Sequence, residues 1–154
     1  GDGPLKNELQ DMINKLNLKY KVKFLGYITG KEKMDYLLLS DVLIVPSITT
    51  KAGDTEGLPV TIMEGMSAGL PVIATDVGGI RDIIKNNENG ILIKEKNSKE
   101  IAEKIIYLAH NKKFMQKLSK NSKLTSKNYD WEIIGKKHID LIKKMFLSLP
   151  YKHK

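Results

Sequence analysis

Apolar positions along the chain change their period several times, and each change marks an element. Leu5, Leu9, Met12, Ile13 and Leu16 recur at helical spacing after Pro4, and proline suits a first helical position. A helix is therefore predicted over about residues 4–17. Val22-Lys23-Phe24-Leu25 is short, rich in strand formers and stopped by Gly26, so it reads as a strand. Helical spacing returns over residues 31–40 through Met34, Leu37 and Leu38. Residues 41–46 then form a strand whose stretch after Asp41 is continuously apolar, the signature of a strand covered on both faces in a parallel sheet.

A polar loop follows over residues 47–58, and Pro59 opens a helix that Gly69 closes. Residues 71–75 make another apolar strand, Gly78-Gly79 leads into a short helix through Ile84, and Asn89-Gly90 is a turn before a last strand at 91–93. Beyond residue 97 only helical spacing is left. Asn97 or Ser98 can cap a helix with Ile101, Ile105 and Leu108 inward, a second runs near 113–126, and a third from Asp130 to about Leu147. Strands alternating with helical crossovers pack most economically as a Rossmann-like three-layer α/β/α domain with a mainly parallel sheet. One domain over residues 1–154 is expected, with a βα core at 1–96 and terminal helices at 97–154.

Composition narrows the chemistry by exclusion. The 154 residues contain no Cys, which removes disulfides, thiolate zinc sites and cysteine nucleophiles and makes a cytoplasmic location the natural expectation. His110, His138 and His153 stand far apart, without the spacing of metal ligands, and read as surface or helix-end residues. The net charge of +8 is unevenly placed. Residues 1–93 hold 10 Lys/Arg against 12 Asp/Glu, whereas residues 94–154 hold 16 against 6. A basic half suits an anionic partner, either nucleic acid or a membrane surface, or is simply a solvated helical face. With one Arg in the chain and no aromatics among the Lys clusters, sequence-specific reading of nucleic acid is disfavoured.

The informative segment is Gly53-Asp54-Thr55-Glu56-Gly57-Leu58-Pro59-Val60-Thr61-Ile62-Met63-Glu64-Gly65-Met66. It carries the chain from a strand end, across the carboxyl edge of the sheet, into a helix, and ligands of open α/β sheets bind at that edge. The first N–H groups of a helix lack intrahelical partners, and the dipole adds positive charge there. Pro59 has no N–H, so the main chains of Val60 and Thr61 offer the first donors for a phosphate or diphosphate. Glu64 lies roughly 7–8 Å along the helix from Pro59 and could accept from two vicinal hydroxyls. Glu56 precedes the helix. By spacing alone, both acids read at least as well as surface residues.

The ordered set of short motifs changes that balance. Glu56 and Glu64 form a Glu-x7-Glu pair, flanked by Gly1-Asp2-Gly3-Pro4, Phe24-Leu25-Gly26, Ser40-Asp41-Val42, Pro46-Ser47, Gly69-Leu70-Pro71-Val72, Gly78-Gly79 and Asn89-Gly90. Through nearly its whole length the chain resembles the C-terminal, nucleotide-sugar-binding half of GT-B glycosyltransferases, most closely the retaining family 4. Trp131 resembles the aromatic that opens that family's last helix. Gly65 and Ser67 stand where the family often has Ala, small residues that keep the helix packing close.

The resemblance implies roles. Glu64 would hold the nucleotide ribose. Glu56, with the N–H groups of Gly57 and Leu58, would orient the hydroxyls of the donor sugar as the catalytic contribution of this half. Val60 and Thr61 N–H would meet the diphosphate, and the main chain of Ile28 would meet the base, with Tyr27 or Lys33 assisting. The donor would be a UDP- or GDP-sugar, with no cofactor and no divalent metal. A glycan or lipid-linked acceptor would be held mainly by an N-terminal domain. The charge of the basic half, rather than the resemblance, adds an anionic membrane surface as a further partner, on the inner face of the membrane. The family's Arg/Lys pair that clamps the diphosphate lies upstream of the Gly-Asp-Gly-Pro segment, so the chain is expected to be truncated and inactive alone.

Other classes stay open at this point. A nucleotide-holding module without turnover and a basic binder of nucleic acid or membranes both fit the charge. A GT-B-like epimerase or phosphorylase matches the loop weakly. A dinucleotide oxidoreductase fits worst, since no G-x-G-x-x-G follows a strand.

Overall fold

Three strands form a parallel sheet in the order β1-β2-β3: β1 (Leu43–Val45), β2 (Val72–Thr75) and β3 (Ile91–Ile93). Ile44 pairs with Ile73, and Ala74 with Leu92. The structure, a computed structural model, describes residues 2–148, so Gly1 and His153 lie outside it. The chain divides into two units, Gly1–Tyr36 and Leu37–Lys154, and the sheet belongs to the second.

In the first unit the helix predicted at 4–17 is the shorter α1 (Lys6–Lys15), entered through a turn at Gly3–Leu5. Asp2 ties the unit together. Its carboxylate accepts from the Lys6 ammonium and from the Tyr27 N–H at 3.1 Å. The hydrogen bond and charge of Lys6 hold that carboxyl below the usual carboxylate range. Gly26, with φ 69°, brings the chain close, since a Cβ there would stand 3.4 Å from Asp2 Oδ2. The expected strand at Val22–Leu25 does not form. A strand exists only through a ladder with a neighbour, and the described residues of this unit contain none. Helix α2 (Gly30–Leu39) follows.

In the second unit, alternate sheet residues point to opposite faces. Val72, Ala74, Leu43, Val45 and Leu92 pack with Ile62 and Met66 of α3 (Val60–Ser67) and with Ile80 and Ile83 of α4 (Ile80–Ile83). Ile73, Ile91, Ile93 and Ile44 pack with Leu108 of α5 (Ser98–His110) and Leu118 of α6 (Lys112–Lys127). Covering both faces explains why the strands are uninterrupted apolar runs rather than alternating ones. β2, the central strand, is buried at every position. The three-layer α/β/α expectation therefore holds.

Local chemistry sets the helix ends. Gly69, at φ 83°, closes α3 with paired bonds, its own N–H to Met66 O and Leu70 N–H to Gly65 O. Gly65 faces β1 so closely that a Cβ would meet Leu43 Cδ2 at 2.3 Å. Asn97 caps α5 by accepting from Glu100 N–H at 3.1 Å, while Glu100 accepts from Asn97 Nδ2 and from Lys94 N–H. Ile101 and Leu108 of α5 face the core as expected, but Ile105 is 38% exposed. The inward stripe runs through Ile101, Lys104 and Leu108, and Ile105 stands about 60° around the helix from Leu108.

Helix α6 lies across the amino-terminal edge of the sheet. Ser119 and Ser122 donate to the Gly69 and Leu70 carbonyls ahead of β2, and Asn121 donates to Glu88 O ahead of β3. Asn89 completes this edge: Nδ2 donates to Ile83 O and Thr125 Oγ1, and Oδ1 accepts from Lys85 N–H at 2.7 Å. Its side chain is buried, so Asn89→Ala should cost about 2–4 kcal/mol in urea unfolding. A change below about 0.5 kcal/mol would show that the turn stands without it. The last helix is α7 (Trp131–Ser148). Among the described residues no helix is long and apolar enough to cross a membrane.

Candidate functional site

With α6 on the amino-terminal edge, the carboxyl edge is where the strand ends open into loops. Ser47 follows β1, Asp76–Gly79 follow β2 and Glu95 follows β3. Thr75, buried at the end of β2, donates its hydroxyl to Ser47 O at 2.6 Å. Ser47 in turn donates Oγ–H to Glu56 Oε2 at 2.7 Å. Thr49 N–H donates to Glu95 Oε2 at 2.8 Å, which ties the first loop to the strand on the far side of β2. All three strand ends therefore brace the loop that carries Glu56.

The Gly78-Gly79 pair makes the second brace. Gly79 N–H donates to Gly57 O at 2.6 Å. A Cβ on Gly79 would stand 2.3 Å from Gly57 O, and one on Gly78 would stand 2.0 Å from Glu56 O. Gly78 also has φ 52°, a left-handed conformation that side chains resist. Two backbones meet here with no room for a side chain, and Glu56 and Gly57 are placed by that contact.

Helix α3 begins one residue later than its proline suggests. Pro59 is the N-cap, at φ −61° and ψ 121°, and supplies no capping side chain. Ile62 N–H already bonds back to Pro59 O at 3.0 Å, so Val60 and Thr61 carry the leading donors. Both residues are exposed, with Val60 at 69%. Leu58, half-buried, packs its side chain into the core and fixes the approach to the helix. The site thus presents two N–H groups and the positive end of the α3 dipole to solvent.

Glu64 lies one turn along α3 from Val60, about 6 Å up the axis and on the same face. Its Oε2 is buried, and its side chain borders a groove of about 690 Å³ lined also by Val60, Met63, Lys127 and Trp131. Glu56, Gly57, Leu58, Val60, Thr61 and Glu64 thus cluster around one helix start. Ile28 belongs to the first unit, half-buried in the irregular segment before α2. Sequence reasoning missed Ser47 and the bracing role of Gly78-Gly79. The Pro46-Ser47 and Gly-Gly dipeptides were visible, but nothing local to them points to Glu56.

Comparison with known proteins identifies the class. Residues 1–125 match the family model of glycosyl transferases group 1, and the chain belongs to that family. It is 33% identical over 132 residues to an uncharacterized glycosyltransferase of Methanocaldococcus jannaschii, covering 86% of this chain and 36% of that protein. It is 35% identical over 109 residues to the amylovoran biosynthesis glycosyltransferase AmsK of Erwinia amylovora, covering 71% of this chain and 27% of that protein. The chain therefore spans about a third of the length of the curated relatives it matches.

Among solved structures, the C-terminal domain of the group 1 glycosyl transferase LpcC from Francisella tularensis aligns with TM-score 0.68 at 26% identity, over 82% of this chain and 63% of that one. Anabaena HepE in complex with UDP-glucose aligns with TM-score 0.79 at 23% identity, over 94% of this chain and 38% of that one, a likeness of fold. The fold is that of the C-terminal domain of GT-B glycosyltransferases.

Proposed function

We propose that this chain is the nucleotide-sugar-binding half of a retaining glycosyltransferase of family 4, which moves a sugar from UDP or GDP to a glycan or lipid-linked acceptor. The observation that carries this reading is the arrangement of Glu56 and Glu64 on either side of an uncapped helix start. The relatives' names support glycosyl transfer, and the UDP-glucose bound to Anabaena HepE supports a nucleotide-sugar donor.

In this reading the diphosphate accepts hydrogen bonds from Val60 and Thr61 N–H. Glu64 accepts from the two ribose hydroxyls. Glu56 accepts from hydroxyls of the transferred sugar, beside the N–H groups of Gly57 and Leu58. A carboxylate next to a diphosphate is favourable only if hydroxyls lie between them, and the Ser47 bond to Oε2 holds Glu56 in one orientation for that contact. As the bond to the sugar breaks, negative charge grows on the leaving diphosphate. The fixed N–H groups and dipole of α3 stabilise that charge without reorganising, and no divalent cation is required for it. The site that holds the acceptor, and the cations of the family's Arg/Lys pair, would lie in the remaining two thirds of a protein as long as the relatives.

Glu56→Ala tests the division of labour. Turnover in the complete protein should fall about 100-fold or more, while affinity for free UDP or GDP stays within about threefold. Steady-state kinetics together with calorimetry on free nucleotide read the two effects separately. Equal losses in both would contradict a sugar-facing Glu56.

A further inference from the structure

The excess positive charge of the second half is concentrated on one helix. α6 contains six lysines, Lys112, Lys113, Lys117, Lys120, Lys123 and Lys127, and no Asp or Glu. At about 100° per residue all six fall within an arc of about 140°, a strip about 22 Å long. Each of the six is exposed. The opposite arc holds Phe114, Met115 and Leu118, packed on the core, and the serines that bind the sheet edge. Among the described residues no carboxylate pairs with any of the six; Lys117 reaches the Asn87 carbonyl instead. Solvated helix faces ordinarily mix both signs to avoid this self-repulsion.

We infer that this lysine face of α6 docks the protein on an anionic lipid bilayer. Two features favour a bilayer over nucleic acid. The strip is all lysine, point charges suited to a diffuse layer of headgroups, whereas base and phosphate recognition favours the Arg fork and aromatic stacking. Phe114, the aromatic of α6, is on the inward arc. In addition Leu124 stands inside the lysine arc, 51% exposed, at a position to enter the headgroup layer between the cations. The serines and Asn121 hold α6 on the edge of the sheet opposite Glu56, while Lys123 and Lys127 at its far end line the groove beside Glu64. The docked face therefore reaches the rim of that groove and leaves the strand ends around Glu56 uncovered. The inference does not depend on the donor reading.

Vesicle sedimentation with this chain tests it. The chain should bind vesicles of phosphatidylcholine containing roughly 30% phosphatidylglycerol, ignore pure phosphatidylcholine, and be released as salt rises. Replacing Lys113, Lys120 and Lys127 together by Gln should weaken partitioning about 100-fold, at about fivefold per lysine. Replacing Lys136, Lys143 and Lys144 of α7 by Gln removes the same charge elsewhere and should change it less than about threefold. All six substitutions are at exposed positions, and circular dichroism verifies folding. No binding to the anionic vesicles, equal binding to neutral ones, equal loss in the two triple variants, or tighter binding to duplex DNA at the same salt would each overturn it.

Discussion

Glu64→Ala should weaken binding of UDP and GDP about 10- to 100-fold. The two ribose hydroxyls share a single carboxylate, so together they are taken as worth one hydrogen bond to a charged acceptor, about 1.5–3 kcal/mol. The helix itself should survive. Glu64 contributes its carbonyl to α3, accepting from Ala68 N–H and Ser67 Oγ–H, and Ala retains that carbonyl and is the best helix former. A second comparison isolates the ribose. 2′-Deoxy-UDP should bind the wild-type protein several-fold more weakly than UDP, and the Glu64→Ala variant should bind the two about equally. Calorimetry showing wild-type affinity for UDP and GDP in the variant would remove Glu64 from the site.

Gly78→Ala should be as damaging, though Gly78 is 22 positions from Glu56 in sequence. The added methyl would lie 2.0 Å from Glu56 O, a backbone atom with no rotamer by which to move aside. The left-handed φ of 52° adds strain of its own. A stability loss of about 2–4 kcal/mol is expected, with displacement of Glu56 and Gly57 and loss of donor binding. Gly53→Ala separates strain from collision, because Gly53 has φ 87° with nothing within 4 Å of a Cβ. That variant should lose only about 1–2 kcal/mol and keep its affinity for nucleotide sugar. Urea unfolding and donor titration of both variants provide the check. Wild-type donor affinity in Gly78→Ala would show that the Gly-Gly contact does not place the loop.

Much of the site was legible in the sequence because its grammar is local. A strand, a polar loop and a proline before an apolar helix fix the direction of the backbone, so Val60 and Thr61 could be named as leading donors, and the Glu-x7-Glu interval put Glu64 one turn inside. The braces could not be read in the same way. Ser47 meets Glu56 and Gly78 meets Glu56 O across the sheet edge, through parallel strand register that no short window contains. The Val22–Leu25 segment fails as a strand for a related reason: strand propensity describes a side chain's fit to a sheet, and pairing decides whether there is one. Ile105 shows the same limit at finer scale, since three apolar residues fit one helical stripe while the sheet covers only its centre. The lysines of α6 were visible as a charge imbalance, but their confinement to one arc follows from which side of the helix the sheet edge occupies.

The most direct measurement is a crystal structure of the complete protein with bound UDP-glucose or a GDP-sugar. Diphosphate oxygens within hydrogen-bonding distance of Val60 and Thr61 N–H, the ribose on Glu64 and the sugar hydroxyls on Glu56 are the expected result. Nucleotide density away from the start of α3, with the Glu64 side chain swung into bulk water, would contradict it.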